Sequence, residues 1–584
     1  MRWDLTKIYK NLDELNLDVK KINELTDEIV SLKGKLNNRK DLTEFFRLND
    51  LLDKTLSRAF CYVSMNKNLD ERNTEASILY QNIYNVYVDV VSRLSFIEPE
   101  LLTNGYEKLK EIVNSDELKQ YSFFVEKLFR NEKYVLSENV EAILANYNKP
   151  LNSIAELYDK LATADNGNEF VTLEDGTVLE VNESNFRVYL AKLDSQEDRR
   201  RVFEAVFKHY DKHKNTFAGI YDGIMQSELA EVKTRNYDSI LESHLYGNNI
   251  DKEVFLSLIN TTRNNTAPVK RYYNLRKKFF NLKEIHTYDR FLEFAKTDKT
   301  YDYESSKNIF FEATKEIGGV FEEYSHKVLE NGRVDVEIKD GKRGGAYSTG
   351  LYDEGPFILL NHNGSLDSVF TLAHEAGHSM HTMFSNNNQP YVTHDYVIFV
   401  AEIASTFNET LLLDHLMKQD IDKNTKICLL QQSIDNILST FYRQSLFATY
   451  EYEAHKLVEE GKAITYESLS NIMKQLYKDY YDIDLNNEPL KEFVWAYIPH
   501  FFHTPFYVYQ YATSFAASQR FYEMIKNNEE NAFDNYINLL KSGGSDYPIN
   551  LVKKAGVDLT KADSFLAVVK RLEVLVDELE ELLK

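Results

Sequence analysis

His374 and His378 stand four residues apart in Thr371-Leu372-Ala373-His374-Glu375-Ala376-Gly377-His378-Ser379-Met380-His381, and no other feature constrains this chain so tightly. On an α-helix that spacing sends both side chains off one face, one turn above the other. Two imidazoles so placed can grip one metal ion, and Glu375 beside the first can hold a metal-activated water without being a ligand. The pattern is H-E-x-x-H, a signature of zinc hydrolases.

Two histidines leave zinc short of protein ligands, so a second helix has to bring a third, and a carboxylate is the usual complement. Glu402 is the candidate. It lies in Phe399-Val400-Ala401-Glu402-Ile403-Ala404-Ser405, apolar on both sides, where a carboxylate without a partner costs several kcal/mol and calls for a cation. Glu409, two turns along the same face, either orients one of the histidines from behind or faces solvent. His381 and His394 flank the motif with poorer geometry; His381 is read as lying behind the ligands or at the surface, and His394 as loop.

The rest of the chain reads as helix. Leu15, Val19, Ile22, Ile29, Leu32 and Leu36 recur at helical spacing, and similar periodicity runs through 42–67, 77–97 and 115–130. Only 9 prolines and 21 glycines punctuate 584 residues, so the helices are long and joined by short polar turns. Two β-favouring runs around Asp175-Gly176 predict a hairpin with a tight turn over 170–181. This hairpin is taken to close an N-terminal helical lobe, 1–184, ahead of a second domain, 185–584, that carries the motif and ends in a C-terminal helix. Val334–Ile338, Lys342–Tyr347 and Pro356–Asn361 predict a small β-sheet with a glycine-rich loop, after which Ser365 or Asp367 starts the histidine-bearing helix. A strand there is either an ordinary core strand or an edge that can hydrogen-bond an extended peptide.

Charge and cysteine content narrow the class. A formal charge of -23 argues against a nucleic acid or an anionic membrane as partner. Cys61 and Cys428 are too few for a disulfide framework or a thiolate metal site. The stretch Met1–Lys7 carries acid and polar residues where an export signal needs an apolar run, and nowhere do about 18 apolar residues run together. The expected compartment is the cytoplasm.

The last informative stretch is Ile498–Ser514, rich in Tyr and Phe with His500 and His503. Alone, such a run reads as core, although tyrosine hydroxyls and a histidine also suit an oxyanion. Taken together, Gly344-Gly345-Ala346-Tyr347, Phe370–Ser379, Ala401–Ser405, His500-Phe501-Phe502 with Phe506–Ala512, and Ser542–Pro548 resemble, in this order, the oligoendopeptidase F group of the thimet-oligopeptidase-like (M3) zinc metallopeptidases. The matches extend over roughly 185–559.

The resemblance implies a mainly α fold in which two helical lobes enclose a deep substrate channel, with a small β-sheet next to the zinc-binding helix. It implies one Zn2+ per chain on His374, His378 and Glu402, with Glu375 as general base. Tyr511 and Tyr507 correspond to the family's oxyanion and substrate tyrosines, and His500 to its histidine. The segment His503-Thr504-Pro505 leaves either His500 or His503 to face the channel, with His500 preferred. The implied activity is hydrolysis of internal bonds in oligopeptides, with no nucleic-acid or membrane partner; the sequence leaves the oligomeric state open. A zinc carboxypeptidase or dipeptidyl enzyme needs a basic residue for the substrate carboxylate, for which Lys342 and Arg343 are the candidates. A peptide-binding protein without the chemistry is disfavoured because every motif residue is intact.

Overall fold

The computed structural model describes residues 2–584, so Met1 of the expected N-terminal lobe lies outside the described residues. The chain is predominantly helical, with one two-stranded and one three-stranded sheet among the described residues. It forms two compact units interleaved along the sequence. The first comprises 1–133, 299–418 and 521–556, and the second 134–298, 419–520 and 557–584.

These units do not follow the expected division after residue 184, and the first unit shows why. Helices α1 (Leu12–Val30), α2 (Arg39–Leu69) and α3 (Thr74–Arg93) each begin at an asparagine, Asn11, Asn38 and Asn73, whose side chain accepts a backbone N–H of the first turn. Leu15, Ile22 and Ile29 of α1 and Leu42, Phe45 and Leu52 of α2 face one another, and the same core continues to Leu351, Phe357 and Leu359, far along the chain. The Trp3 indole N–H also reaches the Ile358 carbonyl at 2.7 Å. Helical periodicity shows which face of α1 is buried, but not that a sheet 300 residues on completes its core.

That sheet consists of β3 (Val334–Glu337), β4 (Tyr347–Leu351) and β5 (Gly355–His362), following the hairpin strands β1 (Glu169–Thr172) and β2 (Val178–Val181) of the second unit. Its order is β3-β5-β4. β5 pairs in parallel with β3, Val334 opposite Ile358, and antiparallel with β4, Tyr347 opposite Leu359. The central β5 is buried from Pro356 to Leu360, as an unbroken apolar run requires. β4 is an edge strand.

The chain then enters α4 (Leu366–Asn386). Ser365 is its cap, the hydroxyl accepting the Ser368 N–H at 3.3 Å, with Asp367 in the first turn. α5 (Ile398–Lys418) follows after a short helical turn, Tyr391–His394.

The second unit is also helical, with Tyr210, Tyr221, Tyr450, Tyr480 and Trp495 among its largest buried side chains. In its hairpin Thr172 pairs with Val178, and the loop 173–177 closes through the Leu173 N–H on the Thr177 carbonyl, with Gly176 at φ 87°. The Asp175-Gly176 turn thus sits inside a longer loop.

Candidate metal centre

The centre is built where α4 and α5 touch. A Cβ on Gly377 would lie 2.7 Å from the Ala404 carbonyl oxygen and 2.7 Å from the Ser405 Cα. Any side chain at 377 would push the helices apart. With glycine there, His374 and His378 on α4 meet Glu402 on α5. Glu402 Oε2 lies 3.4 Å from His374 Nε2 and 3.6 Å from His378 Nε2, and the two Nε2 atoms are 3.2 Å apart. Among the described residues, this is the one group of three His, Cys, Asp or Glu donors close enough to share an ion.

A further contact fixes each of the three. His374 Nδ1–H donates to Glu409 Oε1 at 2.5 Å, so that the nitrogen facing Glu402, and offering a lone pair when a metal displaces its proton, is Nε2. Of the two places the sequence allowed Glu409, the structure takes the one behind the histidine. His378 is hydrogen-bonded to the Ala401 backbone. The Ser405 hydroxyl donates to Glu402 Oε2 at 2.9 Å.

The electrostatics suit a cation. Burial opposes charge on His374, but the Glu409 hydrogen bond and the charges of Glu409, Glu402 and Glu375 outweigh it and raise the imidazole to about 9. His378 goes the other way, to about 4, through burial and the neighbouring His374 charge. Burial lifts Glu375 to about 7, against the pull of His374. Protons therefore cannot satisfy both imidazoles at once. Two imidazole nitrogens, neutral once a metal displaces the proton shared with His374, and a carboxylate oxygen converging on one point are the donor set of Zn2+, and the residues fit that ion.

Glu375 is 7% exposed and accepts the Ser348 backbone N–H of β4. The Ser348 and Ser379 hydroxyls are 2.8 Å apart, and a Cβ on Gly350 would strike Thr382 Cγ2 at 2.5 Å, so β4 lies tightly along α4. A cavity of about 490 Å³ opens over the triad, lined by Glu375, residues 346–350 and Tyr396. No other strand covers the outer edge of β4 among the described residues.

Tyr396 was not singled out from the sequence. Its hydroxyl lies 3.0 Å from Thr382 Oγ1 and donates to the His378 carbonyl at 3.3 Å, and its ring stacks on His381 at 3.6 Å. It precedes α5, so no helical period flags it. His381 is buried beneath it, not at the surface, and burial followed by the His378 charge drives its imidazole down to about 3. His394 closes the short helical turn instead of lying in loop, its Nδ1 2.6 Å from the Tyr391 carbonyl, at the rim of the cavity. Gly543 and Gly544 shape this approach: a Cβ on either would lie 2.3 Å from a backbone carbonyl oxygen, of Thr393 and Asp395 respectively.

The aromatic candidates lie in the second unit and cluster there. The His500 and Tyr507 rings are nearly parallel at 6.0 Å, Tyr507 and Tyr511 meet edge-on at 5.5 Å, and His500 lies 6.3 Å from Tyr511. His503 turns away, with Nε2 2.8 Å from Asp159 Oδ1 and its ring edge-on to Tyr158. Burial and the His503 charge lower His500.

Residues 189–571 match the family model of peptidase family M3, and residues 100–166 match that of oligopeptidase F. The chain is 34% identical to oligopeptidase PepF of Bacillus subtilis over 584 residues, covering 100% of this chain and 87% of that protein. It is 32% identical to group B oligopeptidase PepB of Streptococcus agalactiae over 585 residues, covering 100% and 97%. Among solved structures, a protein from Chlamydophila abortus superposes with a TM-score of 0.91 at 30% identity, covering 100% of this chain and 98% of that one. Oligoendopeptidase-F from Enterococcus faecium gives 0.73 at 26%, covering 98% and 99%.

Proposed function

The chain belongs to peptidase family M3, and from that membership we propose that it is a zinc-dependent endopeptidase of oligopeptides, with His374, His378 and Glu402 as ligands and Glu375 as the proton carrier. The observation that carries this is the convergence of the three donors on one cavity with a buried Glu375 and the free edge of β4. The names of the relatives, oligopeptidases and an oligoendopeptidase, agree with it.

A divalent ion on the triad supplies Lewis acidity toward a peptide carbonyl and lowers the pKa of water. The protein's own groups do the rest. Glu409 keeps the proton of His374 on Nδ1 so that Nε2 presents a lone pair, and the Ala401 backbone and Ser405 fix His378 and Glu402. Glu375, lifted by burial to about 7, is balanced between holding and releasing a proton near neutrality. It takes a proton from the attacking water and delivers it to the leaving amine. An extended peptide pairs with the outer edge of β4, which lays a backbone carbonyl across the triad. Tyr511, Tyr507 and His500 are assigned to substrate and oxyanion on the resemblance of their segment, and the enzyme is placed in the cytoplasm.

The exopeptidase alternative is weakened at Lys342. Its side chain has no exposed area, and its Nζ donates to Asp335 Oδ1 at 2.6 Å, the Leu360 carbonyl at 2.6 Å and the Glu337 carbonyl at 2.7 Å. The lysine staples the sheet and has no donor left for a substrate carboxylate. Arg343 remains, its guanidinium 5.2 Å over the Tyr347 ring.

The test is digestion of a mixed set of short and long peptides and a folded protein, with and without a chelator, read by mass spectrometry. Internal cuts confined to short peptides, lost on chelation and restored by zinc, are expected. Stepwise loss from one terminus would replace this reading with the exopeptidase, and binding without cleavage by metal-loaded protein would remove the activity altogether.

A further inference from the structure

The second unit contains a cavity of about 40 Å³ whose wall carries four basic side chains, Arg187, Arg290, Arg443 and Lys491, set among phenylalanine and tyrosine rings. No aspartate or glutamate lines it. It shares no residue with the metal centre or with the His500 cluster.

The four cations come from separate segments. Arg187 lies in the helix Phe186–Lys192, Arg290 in the turn Thr287–Phe291, Arg443 at the start of the helix Arg443–Glu459, and Lys491 just after Leu490, which holds a left-handed φ of 74°. The last three are partly buried. Among the described residues, no protein acceptor hydrogen-bonds their charged ends and no carboxylate pairs with them. Their close neighbours are rings: Phe291 at 4.6 Å from the Arg290 guanidinium, Phe447 at 5.1 Å from that of Arg443, and Phe207 at 5.1 Å from the Lys491 ammonium. Arg187 alone has a hydrogen bond, to the Tyr497 hydroxyl at 2.9 Å.

The nearby acids are hydrogen-bonded elsewhere. Glu488 accepts the Thr287 N–H at 2.8 Å and its hydroxyl, with His286 at 3.6 Å, Asp289 is held by Arg199 at 2.9 Å and Gln196 at 2.7 Å, and Asp435, which Arg290 also attracts, accepts the Tyr272 hydroxyl at 3.0 Å. None of these carboxylates forms an ion pair with the four cations, which act on one another across the cavity. Burial, with Glu488 opposing and the three arginines reinforcing it, brings Lys491 down to about 7. Arg443 is likewise lowered, by burial and then by Arg290. Unneutralised like charges on one small cavity are unfavourable, and a counter-charge inside it removes the repulsion.

We propose that this cavity is a binding site for a small free inorganic anion, of the class from chloride to phosphate, held by Arg290, Arg443 and Lys491. The volume sets the size class. It admits about three water-sized bodies, too little for a nucleotide or a peptide residue. Guanidinium groups suit such an anion, which they bind through charge-assisted hydrogen bonds.

The experiment is thermal melting of the full chain in sodium chloride or sodium phosphate titrations, at ionic strength held constant with the bulky buffer salt sodium HEPES. The wild type is expected to rise in Tm saturably with at least one of the two anions. Arg443→Gln and Arg290→Gln are expected to weaken half-saturation by at least roughly tenfold, the loss of a charge-assisted hydrogen bond. In sodium HEPES without chloride or phosphate, Arg290→Gln should melt at or above the wild type, because it removes a like charge. A purely structural arginine predicts the opposite there, a loss in every buffer. Arg290 stacks on one ring and hydrogen-bonds nothing in the protein, so its variant decides the matter if Arg443→Gln does not fold. A rise that fails to saturate, no rise with either anion, or the same rise in both variants would overturn the proposal.

Discussion

The crossing of α4 and α5 and the turn that gathers His500, Tyr507 and Tyr511 both collect polar side chains, yet they are built in opposite ways. At the crossing two regular helices do the positioning. Helical spacing aligns His374 with His378, and Gly377 lets Glu402 come within reach. In the second unit the rings are brought together by an irregular stretch in which Phe506 takes a left-handed φ of 54°. There the fastening is tertiary. The Phe506 N–H donates at 2.8 Å to Glu451, a buried carboxylate on another helix. Chemistry carried on regular elements can be read from spacing, whereas chemistry carried on a turn depends on whatever holds the turn.

The sharpest way to break this contrast is at Glu375. Glu375→Gln is expected to lower kcat/KM by about 10²–10⁴-fold, the usual contribution of a positioned acid–base group, with metal content by elemental analysis unchanged. Retained activity would remove the helix crossing from the chemistry.

The next test is Glu451, which burial raises to about 8 against the Phe506 N–H and the His455 charge. Its folded pKa lies above the ordinary 4.5, so the folded state keeps a proton that the unfolded state releases. The sign follows: this residue costs nothing below about pH 4.5, and stability falls as pH rises from there to about 8, by a few kcal/mol. Denaturant titrations of Glu451→Gln against wild type should show a variant that gains relative stability over that window. A parallel pH dependence of the two proteins would show that the turn is not fastened there.

Three smaller effects sharpen the first unit. Glu409→Gln is expected to weaken metal affinity by about 10–100-fold in competition with a chromophoric chelator, since it frees the His374 ring. Gly377→Ala should lower stability by about 1–3 kcal/mol, because its methyl meets backbone atoms that cannot rotate aside. It should also loosen metal binding, whereas alanine at a glycine away from the crossing should not. The smallest change is Tyr396→Phe, which loses the hydroxyl contacts to Thr382 and the His378 carbonyl and should cost about 1 kcal/mol in thermal or denaturant unfolding.

The same contrast explains how much the sequence revealed. The structure brings together His374, His378 and Glu402, and it starts α4 at Ser365, one of the two expected residues, because capping and i, i+4 spacing are local properties. The sheet beside α4 was likewise marked by an apolar run between glycine-rich turns. The interleaved units were not legible, since nothing local in α1 or α2 announces that Leu351, Phe357 and Leu359 complete their core. Tyr396 escaped because its role comes from a contact across to α4, not from a place in a period. For His381 the structure takes the place behind the ligands, one of the two its spacing left open, and the covering Tyr396 ring that decides between them is a tertiary contact. The grouping of His500 with Tyr507 and Tyr511 was accessible through resemblance alone, and the engagement of His503 by Asp159 lies far outside any local window.

The central claim is that the α4–α5 crossing holds one zinc ion. It is tested most directly by an anomalous diffraction map at the zinc edge, from crystals of the full chain incubated with zinc. The account predicts one peak per chain, about 2.0–2.2 Å from His374 Nε2, His378 Nε2 and a Glu402 oxygen, lost in Glu402→Ala. A peak on other residues, or none at saturating zinc, would contradict it.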